Sequence, residues 1–64
     1  MHDLPFEIPN QVRWVAQDRD GTWWGYTVEP LRNEVGWYEN EVGEYLRLGQ
    51  SAPLDWENSL RKVG

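Results

Sequence analysis

The stretch QVRWVAQDRDGTWWGYTVE, residues 11–29, decides how this chain folds. Its first seven residues alternate, with Val12, Trp14 and Ala16 on one side and Arg13, Val15 and Gln17 on the other, the period of a β-strand. Asp18-Arg19-Asp20-Gly21 reads as a turn, and TWWGYTVE alternates again until Pro30 ends it. A type I turn with Gly21 in the left-handed conformation and a G1 bulge sets Asp18 opposite Thr22. Counting back, Ala16 faces Trp24, Trp14 faces Tyr26 and Val12 faces Val28. These six are all apolar or aromatic, whereas a one-residue slip would mix them with Arg13 and Gln17. The pattern therefore predicts Trp24 in the core beside Trp14 and Tyr26. Trp23 then goes to the opposite face, across from Gln17, flanked by Val15 and Gly25 and near Arg13, Thr27 and Glu29. Gly25, a glycine inside a strand, marks either a close approach by another group or a local bulge.

Working outward, MHDLPFEIPN reads as an extended leader over residues 1–10, with Phe6 and Ile8 available to tuck against the sheet. PLRNEVG is a connecting loop, WYEN a further extended piece, and EVGEYLRLG another strand with Val42, Leu46 and Leu48 on one face and Tyr45 and Arg47 on the other. The tail SAPLDWENSLRKVG fits two descriptions. Asp55 can cap a short helix carrying Trp56, Leu60 and Val63 as a stripe, or the segment can run extended across the sheet. The expectation is one small all-β domain over residues 1–64. It is a small antiparallel sheet of three or four strands.

With 64 residues the chain buries only about 60% of the surface that its unfolded form exposes, so every large apolar side chain matters. Five Trp, three Tyr and one Phe stand in for the aliphatic residues that a small core usually draws on. A buried Trp removes about 150–250 Å² from water. A domain this small has little fully interior volume, so one or two indole rings are expected to stay half exposed. With no cysteine in the sequence, disulfides and Cys-based zinc sites are excluded.

The net charge of −5 argues against sequence-independent nucleic-acid binding, which depends on neutralising phosphates with Lys and Arg. Glu29, Glu34, Glu39, Glu41 and Glu44 concentrate the acidity mid-chain, where it favours attraction to basic surfaces. His2 is the sole histidine, so neither a Ser-His-Asp arrangement nor a His-based metal site can be assembled within one chain. Asp18 with Asp20, and Glu39 with Glu41, read as turn formers and surface charge rather than acid/base pairs. DRDG echoes part of a calcium loop but lacks the remaining ligands. No enzyme, cofactor, metal site or membrane span is expected from these residues, and the compartment they suit is the cytoplasm.

DGTWWGYTVEP followed by GWYENEV resembles the second half of an SH3 domain, in which the first Trp of a pair lines a proline-peptide groove; that resemblance implies an SH3-like partial barrel as the alternative to a plain sheet, with Trp23 as the groove Trp's counterpart. Over more of the chain, Trp14, Ala16, Asp18, Asp20, Gly21, Pro30, Trp56 and Glu57 resemble the pattern of short Trp-rich accessory proteins encoded by bacteriophages and prophages, with Asn58 in place of a final acid. This second resemblance implies a viral protein acting in the host cytoplasm, and it favours an extended tail. The leading functional expectation is a non-enzymatic protein that binds and antagonises a host protein, such as a defence-system component. Trp23 and Arg13 are the expected anchors, followed by Trp37 and Tyr38 at the loop edge. The alternatives are an oligomeric sponge for a nucleotide signal, with Trp23 or Tyr45 stacking on a base and Arg13 or Arg47 meeting phosphate, and a structural or assembly component in which the leader covers Trp23.

Overall fold

The alternation in residues 11–29 does produce a hairpin. A computed structural model describes residues 4–39 and 42–64, and in it β1 (Trp14–Gln17) pairs antiparallel with β2 (Thr22–Tyr26). The register is the one the turn chemistry demands, with Trp14 opposite Tyr26, Ala16 opposite Trp24 and Gln17 opposite Trp23. The Asp18 N–H donates to the Thr22 carbonyl at 2.9 Å, and Gly21 sits at a φ of 96°, which an L side chain resists.

The described residues form four further strands: β3 (Leu31–Arg32), β4 (Trp37–Tyr38), β5 (Tyr45–Gln50) and β6 (Arg61–Lys62). The main sheet runs β5-β2-β1-β6, antiparallel at each pairing, while β3 and β4 form a separate two-stranded hairpin. The fold class is thus small antiparallel all-β, with no closed barrel among the described residues. Between the two descriptions of the tail, the outcome is mostly extended. A single 3₁₀ turn at Trp56–Asn58 leads into β6, which pairs with β1 through Trp14↔Lys62 and Val15↔Arg61. Asp55 makes no side-chain cap there. Residues 1–3 of the leader, with Asn40 and Glu41 of the acidic stretch, lie outside the described residues.

Burial falls on both faces: Ala16 and Tyr26 are buried on the Trp24 side as expected, and the side expected to face outward is buried as well. Trp23 is only 5% exposed and Val15 is fully buried, and with Val12 they form the core against which Leu4, Phe6, Ile8, Leu46, Leu48 and Val63 pack. Trp24, assigned to the core from its pattern, is instead partly exposed. The reason is that both faces of the hairpin are apolar enough to be buried, so the segments laid over them decide. The leader, β5 and the chain end all bring their aliphatic residues to the Trp23 side. Val42, expected alongside Leu46 and Leu48, stays 77% exposed.

Val12 also changes sides. The Arg13 N–H donates to the Tyr26 carbonyl at 2.9 Å beside the Trp14↔Tyr26 pair, so two residues share one partner in the manner of a β-bulge. The alternation slips there, and Val12 joins Val15 instead of facing Val28. Gly25 makes the room: a Cβ on it would come within 2.8 Å of the Val12 Cγ2 and 3.4 Å of the Leu48 Cδ2. The close approach marked by this glycine is the protein's own core.

Buried polar groups tie the layers together. The Trp23 indole N–H donates to the Ser51 Oγ at 2.9 Å. Gln17, only 3% exposed, donates its amide to the carbonyls of Gly21 (3.2 Å), Ser51 (2.9 Å) and Ala52 (3.2 Å). Its backbone N–H meets the Ser59 Oγ at 2.7 Å, and that hydroxyl donates to the Trp56 carbonyl at 2.6 Å. One glutamine thus joins the turn, the segment after β5 and the tail.

Truncating a buried Trp costs about 3–5 kcal/mol. A domain of this length has about 3–10 kcal/mol of stability in total. Trp23→Ala is therefore expected to leave the chain largely unfolded in urea melts followed by far-UV circular dichroism. Tyr38→Ala, which removes a half-exposed ring, is expected to stay within about 0.5 kcal/mol of wild type.

Candidate binding surface

Burial removes Trp23 from the candidate anchors. Phe6 lies against its ring at a centroid distance of 6.4 Å, the Arg61 guanidinium sits 5.6 Å above it, and Phe6 also fills the space that a side chain on Gly49 would need. The cation over Trp23 is Arg61, contributed by β6. Arg13 does not pair with Trp23: it is exposed at the other end of the hairpin, where its carbonyl accepts the Val63 N–H at 2.8 Å and its side chain lies beside Gly64. The expected Trp23–Arg13 pair is thus not assembled.

The opposite sheet face brings other residues together. Because Trp24 pairs with Arg47 and Tyr26 with Tyr45, these four side chains share a face. The Tyr45 ring, 52% exposed, stands edge-on to Trp24 at 5.5 Å, and Arg47 beside them is exposed. Tyr26 lies beneath at 2% exposure. Its phenol is held well above the ordinary range, first by burial and then by the negative charge of Asp18 and Glu39. Alternation had already put Tyr45 and Arg47 together. Trp24 was missed because its own strand read as more apolar on that side.

The β3–β4 hairpin flanks this face. The Asp18 Oδ1 accepts the Trp37 N–H at 2.8 Å, and the Arg19 N–H donates to the Val35 carbonyl at 3.1 Å. The Trp37 indole N–H donates to the Trp56 carbonyl at 3.2 Å, so Trp37 is half-buried and fastens the hairpin to the tail. Arg32, next to it, reaches Glu57 at 4.0 Å in an exposed ion pair of little energetic weight. Tyr38 stands opposite Leu31, and both are close to half exposed. Of the loop-edge pair, Tyr38 is available to a partner and Trp37 is mainly structural.

Between β5 and the segment after β2 is a shallow cleft of about 450 Å³, with Tyr45, Glu44, Glu39 and Thr27 among its lining. Among the described residues, no group of three or more His, Cys, Asp or Glu is placed to hold a metal ion. No described helix is long and apolar enough to cross a membrane. Compared with known proteins, the chain matches no protein family, no curated protein and no solved structure.

Asp18 links the two sheets and carries a pH signature. Desolvation raises its pKa above the ordinary 3.8, and this outweighs the hydrogen bonds from the Trp37 N–H and the Trp24 side chain that act to lower it. The folded state therefore binds that proton more tightly than the unfolded chain does. The contribution favours the fold at pH below 3.8 and is lost as pH rises through the higher folded value. Asp18→Asn keeps an acceptor without the charge, so its melting temperature relative to wild type is expected to rise between pH 3 and pH 6. Asp18→Ala leaves the Trp37 N–H without its acceptor and is expected to lose about 1 kcal/mol at low pH in thermal melts, a deficit that narrows as pH rises and wild type loses its own Asp18 contribution.

Proposed function

We propose that this protein is a non-enzymatic binding module that occupies a surface of another protein through the Trp24–Tyr45–Arg47 face. The carrying observation is the edge-on Trp24–Tyr45 pair, left partly open to solvent in a chain that has otherwise covered Trp23 and Tyr26. Trp, Tyr and Arg are the side chains that most often dominate interface energies, and this face carries one of each. Tyr38 and Leu31 extend the apolar surface on the neighbouring hairpin. The similarity to phage-encoded accessory proteins gives the reading its biological setting: a host protein in the bacterial cytoplasm is the target, and blocking a defence component is the purpose.

Tyr45 and Arg47 on one face also suit a stacked base and its phosphate, the arrangement of a nucleotide sponge. Glu39 and Glu44 along the adjacent cleft oppose a phosphate there, which leaves protein binding ahead.

The test is native mass spectrometry of tagged protein recovered from bacterial lysate, using wild type, Tyr45→Ala and Arg13→Ala. A host-protein adduct that survives Arg13→Ala and is lost in a folded Tyr45→Ala is the expected result. An adduct unaffected by Tyr45→Ala would refute this face, and an oligomer carrying a releasable nucleotide would replace the reading with the sponge.

A further inference from the structure

The cleft next to Tyr45 has chemistry of its own. Thr27 fixes its floor: its N–H donates to the Glu44 carbonyl at 3.0 Å, and its Oγ1 accepts the Glu44 N–H at 2.9 Å. Glu44 is thereby held at the end of β2, directly before the Tyr45 ring. Glu39 lines the same depression from the other side. Among the described residues the one ion pair joins Arg32 to Glu57, and neither Glu39 nor Glu44 has a cationic partner. Two uncompensated carboxylates thus border a half-exposed phenol ring in a concave site.

We propose that this cleft receives an arginine side chain from a basic segment of the partner protein, an inference that rests on the binding reading above. Charge complementarity selects the occupant. A guanidinium lies flat on an aromatic ring while its edge donates paired hydrogen bonds to a carboxylate, and Tyr45 with Glu44 and Glu39 supplies both halves of that arrangement. Lysine, a compact and strongly hydrated point charge, uses the ring and the carboxylates less well. A net charge of −5 draws a basic segment toward the protein from a distance. Arg47, across Tyr45 on the same face, is available to an acidic or polar group of the same partner.

The experiment titrates the full ¹⁵N-labelled chain with a blocked Gly-Arg-Gly-Arg-Gly peptide and with its lysine and glutamate counterparts, following amide shifts by NMR. The expected result is saturable shifts at Thr27, Gly43, Glu44 and Tyr45, strongest for arginine and absent for glutamate. Binding should fall roughly tenfold or more in the Glu39→Gln/Glu44→Gln double variant, whose exposed positions leave the fold intact. Shifts that fall elsewhere, that are equal for lysine, or that persist unchanged in the double variant overturn the proposal. Capture of the lysate partner separates the two levels: retention by the double variant with loss in Tyr45→Ala overturns the arginine site alone, and retention by both overturns the binding face as well.

Discussion

Burial of Trp23 is the constraint from which the other features follow. Phe6 of the leader, itself seated over the bare backbone of Gly49, and Arg61 of the last strand lie against its ring, and its N–H is bonded to Ser51. Segments from both ends of the chain and from the outer strand therefore converge on one side chain. Roughly 25 cal/mol for each Å² of apolar surface makes a single indole worth several kcal/mol before entropy, a large share of what so short a chain can muster. Gln17 completes the arrangement from the polar side, holding the carbonyls of the turn and of the segment after β5 and meeting Ser59 of the tail.

Once one face of the sheet is committed to Trp23, the adjacent Trp24 must point the other way, where the β3–β4 hairpin flanks the sheet. That hairpin is anchored through Asp18 and Trp37 near the turn, and Tyr45 at the far end of β2 stays half exposed. Ala16 and Tyr26 are buried on that side, and the proposed binding surface is the part of it, around Trp24, Tyr45 and Arg47, that a small chain leaves open. The bulge at Arg13–Trp14 contributes to the same asymmetry, because moving Val12 across to Gly25 adds bulk to one face and takes it from the other.

How far these features were legible differs by kind of information. The hairpin register followed from Asp18-Arg19-Asp20-Gly21, since turn chemistry is local and strict. The split of β5 into Leu46 and Leu48 against Tyr45 and Arg47 followed from alternation, and it placed two members of the candidate surface side by side. The choice of buried face did not follow, because Val15, Trp23 and Gly25 read as a weak face until Val12 and the leader are added to it. Gln17 reads as an outward polar residue for the same reason, since two of its three carbonyl acceptors, Ser51 and Ala52, lie far along the chain. Cleft-lining Glu39 and Glu44 were visible only as members of an acidic run; their position beside Tyr45 depends on pairing after β2.

The exchange rate of the Trp23 indole N–H with solvent, measured by NMR beside those of the other indoles, probes this account most directly. Held by the Ser51 hydroxyl beneath Phe6 and Arg61, it is expected to exchange most slowly of the five, while Trp24 exchanges faster. A Trp23 indole that exchanges as fast as an open ring, with Trp24 protected, would mean that the sheet buries its other face and that the binding surface has been assigned to the wrong side.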